Sequence, residues 1–132
     1  MSHATQDIAV AAARKAFDEG PWPKMAPAKR GSILFKLADL IERDLLLLAS
    51  IESLDNGKSI TMAKGDIAAV VGTIRYYAGW ADKIHGKVID THTDSFNFIK
   101  YEPIGVCGQI IPWNFPLLMV GQGHLLASFS PY

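Results

Sequence analysis

The sequence has a single cysteine, Cys107, so no disulfide can close within the chain. That fits a reducing, cytosolic compartment better than a secreted one. It also has no charge of either sign to spare: thirteen basic residues balance thirteen acidic ones. A neutral chain has no basic field with which to draw nucleic acid or an anionic membrane, and neither is expected as a partner. Long hydrophobic runs are missing too. The run "LLLLA" at 45–49 is far short of a bilayer span. The opening "MSHATQDIAV" lacks the charged-then-apolar layout of a secretory leader. The four histidines, His3, His85, His92 and His124, are scattered without metal-ligand spacing, so no metal site is expected. There is no internal repeat and no low-complexity segment.

What is present suits one modest domain: 132 residues, 49% hydrophobic and 20% charged. Residues 6–18 are Ala-rich, with Ile8, Ala11, Ala12 and Ala16 on one helical face. Gly20, Pro21 and Pro23 end that helix, and Trp22 in the turn reads as an anchor onto the core. Pro27 opens a second helix with the stripe Ile33, Leu34, Leu37, Leu40 and Ile41. Ala26 in its cap position costs about 1 kcal/mol relative to Ser or Thr. The helix is expected to continue through 43–55 and to stop at Asn56-Gly57. Ile67, Val70, Val71, Ile74, Ala78, Ala81 and Ile84 mark a third helix, ended by Gly86. Gly72 and Gly79 within it either cost about 1 kcal/mol each or mark close packing.

Beyond Gly86 the period shortens to that of strands. Residues 87–101 read as a hairpin around a polar turn at Thr91–Ser95, with Phe96, Phe98 and Lys100 on one side and Asn97, Ile99 and Tyr101 on the other. "IGVCGQII" at 104–111 is apolar on both faces, as in a buried parallel strand. It would bury Cys107 as an inert thiol. Pro112 ends the strand and Pro116 opens a helix. The tail "VGQGHLLASFSPY", with two glycines in three residues, does not favour a continuing helix.

Two short motifs carry little. "NGKS" at 56–59 resembles the end of a phosphate-binding loop, but the required earlier glycine is Glu52, so a helix-ending turn is preferred. "GQG" at 121–123 is too short for a dinucleotide fingerprint. Asn114 is different. It lies between Trp113 and Phe115, with Pro112 and Pro116 outside them, in a loop between a strand end and a helix start. Ligands collect beyond such strand ends in open α/β sheets. A neutral amide there suits either a structural turn or a donor to a carbonyl oxygen or developing oxyanion.

The stretch "YEPIGVCGQIIPWNFPLLM" resembles the aldehyde dehydrogenase superfamily. So do "RGSILFKLADLIERD", "LASIESLDNGKSI" and "RYYAGWADKIHGKVI", and the likeness runs from about residue 4 to Met119. It implies an NAD(P)-dependent oxidoreductase of the cytosolic and mitochondrial kind, converting an aldehyde to a carboxylic acid. It assigns Asn114 the oxyanion role and Ile110, Ile111, Pro112 and Trp113 the cofactor contacts, with NAD or NADP as cofactor. It also implies that the 87–101 strands join an oligomerisation sheet in complete, homo-oligomeric members.

The expected fold is an incomplete α/β one: helices over 6–85, a hairpin over 87–101, then a dinucleotide-binding strand and site loop over 104–116. Residues 1–119 form the partial domain and 120–132 a divergent tail, the mark of a truncated or misread gene. The family's catalytic cysteine and glutamate lie downstream of the matched region, so the chain is expected to be inactive alone. The alternative is a non-catalytic short isoform that binds full-length subunits through its hairpin. A cytoplasmic location is expected, or a mitochondrial one should a targeting segment precede the chain.

Overall fold

The structure, a computed structural model, describes residues 3–129, with side chains placed for 5–123. It is helix-rich, with one two-stranded antiparallel sheet. The elements are α1 (His3–Glu19), a 3-10 turn (Trp22–Lys24), α2 (Pro27–Arg43), α3 (Leu45–Asn56), α4 (Ile60–Trp80), β1 (Lys87–Ile89), β2 (Asn97–Ile99) and α5 (Pro116–Phe129).

α4 is the hub. Its buried face is Ala63, Ile67, Val70, Val71, Ile74 and Ala78, at the helical spacing expected from the sequence, but the helix stops at Trp80 rather than at Gly86, and Ile84 lies beyond it, exposed. α2 lies against it through Gly31, Leu34 and Ala38. A Cβ at Gly31 would sit 2.7 Å from the Ala78 carbonyl oxygen, so a bare backbone is what lets the two helices approach. This corrects the expected α2 stripe. Ile33, Leu37 and Leu40 are exposed, because the contact runs through the small residues beside them. Trp22 packs onto this cluster as an anchor, together with Ile41 and Tyr77.

The long helix expected after Arg43 is broken. Asp44, at φ −96° and ψ 17°, leaves the helix and starts α3, which swings across to bury Ala49 against Ala63 and Ile67. An Asp side chain competes with helical backbone bonding, and here it pairs with Arg43 at 2.6 Å. α3 stops at Gly57, whose φ of +80° is the left-handed form that glycine supplies freely. Ser59 then caps α4 by accepting from the Met62 N–H at 3.3 Å.

The hairpin forms in the expected place, with Lys87 opposite Ile99, Val88 opposite Phe98 and Ile89 opposite Asn97. Neither strand has a second neighbour among the described residues, and Val88, Phe96 and Phe98 stay exposed. α1 likewise leaves Ile8 and Val10 open.

Two expectations fail. Residues 104–111 carry the composition of a buried strand but form no ladder, because a strand needs neighbours to bond and none lies beside it among the described residues. Cys107 is accordingly exposed rather than buried. The tail, in turn, continues as helix to Phe129. Leu117 and Leu118 pack on the two core clusters, and Gly121 meets Val70, so packing overrides the weak local preference of "GQG". Ser130 and the two residues after it lie outside the described residues.

The accessible surface is 9494 Å². A compact monomer of 14.4 kDa is expected to expose about 6,800 Å². Large apolar side chains face outward on α1, the hairpin and the 104–113 segment, and also on the outer faces of α2 and α3.

Candidate active-site loop

The loop from Ile110 to Phe115 begins in ladder-free extended chain and ends at the first turn of α5. Trp113 and Asn114 form a turn. Pro116 opens the helix, where its missing N–H costs nothing, and the Met119 N–H donates to the Phe115 carbonyl at 3.1 Å. Upstream, the Gln109 side-chain amide donates to the Met119 carbonyl at 2.9 Å, which ties the extended segment to α5.

The five sequence-derived site residues are contiguous. Ile110 is 99% exposed and Trp113 79%. Pro112 and Asn114 are exposed and Ile111 is half-buried. Among the described residues the Asn114 side-chain amide has no hydrogen-bond partner, whereas its carbonyl accepts from the Asn56 Nδ2–H at 3.4 Å. An exposed amide pays no desolvation, so its two donors stay available to an incoming oxygen.

Beneath the loop lies a charged cluster that sequence reasoning missed. Glu52, 5% exposed, points from α3 into the junction of α3, α4 and α5. One of its oxygens accepts from the Lys58 ammonium at 3.2 Å and from the Asn56 amide at 3.4 Å. The other accepts from the Leu117 N–H at 3.4 Å. The Lys58 ammonium also meets Asp66 at 2.5 Å and stands 4.3 Å from the centre of the Phe115 ring. Burial acts to lower the Lys58 pKa, but the bonds to Asp66 and Glu52 outweigh it and raise it overall. The available signal was Glu52 itself, a carboxylate three residues after the buried Ala49 on the inward face of α3.

Comparison with known proteins places this loop in context. The profile described as "Aldehyde dehydrogenase family" matches residues 1–128.

The chain belongs to the aldehyde dehydrogenase family.

Its sequence is 69% identical to an aldehyde dehydrogenase of Aspergillus niger over 113 residues, 86% of this chain and 22% of that protein. In structure it is similar to NAD-dependent aldehyde dehydrogenase from Sinorhizobium meliloti, with a TM-score of 0.94 and 42% identity over 98% of this chain and 26% of that one. The NAD+ complex of aldehyde dehydrogenase from Bacillus cereus matches with a TM-score of 0.91 and 49% identity, over 95% of this chain and 26% of that one. The chain thus spans about a quarter of the length of these relatives, and its fold is part of theirs. The family match continues past Met119, through most of α5. Among the described residues no helix is long and apolar enough to cross a membrane.

Proposed function

We propose that this chain carries the oxyanion-binding asparagine and part of the nicotinamide-cofactor loop of an NAD(P)-dependent aldehyde dehydrogenase, and that it does not oxidise aldehydes by itself. The observation that carries the reading is the amide of Asn114, exposed and without a partner among the described residues at the turn before α5, in a chain of this family.

Asn114 supplies a neutral N–H to the oxygen of an aldehyde as charge develops on it, a task worth about 2.7–4 kcal/mol per donor in such sites. Ile110, Ile111, Pro112 and Trp113 fit the cofactor in kind: backbone outside any ladder and an exposed indole, suited to packing against a dinucleotide. Bound there, NAD or NADP would supply the hydride acceptor. The chain's own part is to present the loop and the amide. Enzymatic acceleration needs about 8 kcal/mol or more, so one donor without a nucleophile, a base and a held cofactor falls short. Cys107 is exposed but matches an ordinary residue of the motif, not the family's nucleophile.

The wider reading is of a cytoplasmic, Rossmann-like oxidoreductase whose complete form is a homo-oligomer. The open hairpin supports a second role, pairing with full-length subunits through its unpaired edges. A tagged chain that recovers no full-length enzyme from its source cells would sink that role.

The catalytic part is tested by following NADH absorbance with the purified chain, NAD or NADP and a panel of short aldehydes. No turnover above blank is expected. Turnover that Asn114→Ala abolishes would overturn the inactivity, and Cys107→Ser would then show whether that thiol is the nucleophile.

A further inference from the structure

We propose that Glu52, Asn56 and Lys58, at the junction of α3 and α4, are positioning residues that hold the backbone around Asn114 and so aim its amide. The proposal rests on the reading of Asn114 as oxyanion donor and extends it to residues some sixty positions upstream.

Three contacts grip the loop from one cluster. The Asn56 amide donates to the Asn114 carbonyl at 3.4 Å, the Lys58 ammonium lies 4.3 Å from the Phe115 ring centre, and Glu52 accepts from the Leu117 N–H at 3.4 Å. The peptide that follows the asparagine and the first turn of α5 are therefore held, while the asparagine's side chain stays outside the cluster.

Asn56 is itself bonded through both ends of its amide. Its amide nitrogen faces both Glu52 and Asn114, and its oxygen accepts from the Lys58 N–H at 3.0 Å, so its orientation is set at both ends. Glu52 does what a local cap would do. Phe115, immediately before α5, has no side-chain acceptor, and the N–H of the helix's second residue turns to a carboxylate from another helix.

A buried carboxylate is weak evidence for stability, since apolar replacements often serve as well. Its bonds here make better sense as aim. An oxyanion donor must lie about 2.7–3.1 Å from the developing charge, and a displacement of about 1 Å can cost about a hundredfold in rate.

Amide hydrogen exchange of the 132-residue chain tests the grip. Glu52→Ala is expected to speed exchange at Leu117 by about 10–100-fold relative to Val70 and Ile74, and Glu52→Gln, which keeps an acceptor oxygen, to restore part of the protection. Equal acceleration at all three residues, or none at Leu117, overturns the proposal. Should Glu52→Ala fail to fold, Asn56→Ala is the gentler variant, with loss of protection confined to the first turn of α5 as the supporting result.

Aim is tested in a hybrid enzyme, in which this chain's matching residues replace those of the Aspergillus niger relative. There Glu52→Ala should lower kcat at least about tenfold, be rescued in part by Glu52→Gln, and have no further effect in an Asn114→Ala background. An equal loss in that background overturns the proposal, because the cluster would then act by some route other than Asn114. An unchanged kcat for Asn114→Ala alone overturns the oxyanion reading instead, and the exchange data still decide whether the cluster grips the loop.

Discussion

At the scale of single residues, the proposed reading gives the chemistry to Asn114 and the support to the cluster beneath it. Because the Asn114 amide is exposed and has no partner among the described residues, Asn114→Ala should change the stability of the chain by less than about 0.5 kcal/mol, measured by urea unfolding. Lys58→Met should cost about 3 kcal/mol, since it leaves the carboxylates of Glu52 and Asp66 together without their cation. The folded state raises the Lys58 pKa against the pull of burial. Its contribution is therefore complete at neutral pH and is lost as pH climbs past the ordinary lysine range and through the raised value. Unfolding midpoints measured from neutral to strongly alkaline pH should fall in the wild type, and fall less in Lys58→Met. Asn114 was legible in the sequence because two prolines and two aromatic residues frame one primary amide. Lys58 was not, because "NGKS" shows a turn, and only folding brings Glu52 and Asp66 around the lysine.

At the scale of elements, the glycines separate packing from propensity. Gly31→Ala should destabilise by about 1–3 kcal/mol, because its Cβ would press on the Ala78 carbonyl of α4. Gly72→Ala and Gly79→Ala should instead stabilise by up to about 1 kcal/mol each, since a Cβ at either meets nothing within 4 Å. Thermal midpoints of the three variants check both signs. α4 and the end of α3 were readable from apolar spacing and turn chemistry, which are local. The pairing face of α2 was readable only in part: Leu34 and Ile41 belong to the expected stripe, but Gly31 and Ala38, which permit the close approach, carry little hydrophobic signal. The 104–111 strand was misread for the opposite reason. Its composition records a buried environment, but a ladder depends on neighbours that no local pattern supplies. α5 went the other way, with contacts to α4 carrying helix through residues that do not favour it.

At the scale of the whole molecule, open surface dominates. An excess of roughly 2,700 Å² over a compact monomer is comparable to a large obligate interface. With α1, the hairpin and the 104–113 segment offering apolar side chains to water, the isolated chain should self-associate and unfold over a broad range. Calorimetry with light scattering checks this, and a sharp, reversible transition from a soluble monomer would contradict it. The α4-centred helices are packed, and among the described residues no buried side-chain nitrogen or oxygen lacks a hydrogen-bond partner, so on the proposed reading what the isolated chain lacks is cover and catalytic partners rather than a core.

The functional reading turns on Asn114 as the oxyanion asparagine of an aldehyde dehydrogenase. The most direct measurement is steady-state kinetics of the hybrid enzyme with and without Asn114→Ala. A kcat lower by about a hundredfold to a thousandfold is expected, with KM for the aldehyde little changed, the pattern of a group that bonds the transition state alone. A raised KM with kcat unchanged, or no change in either, would contradict it.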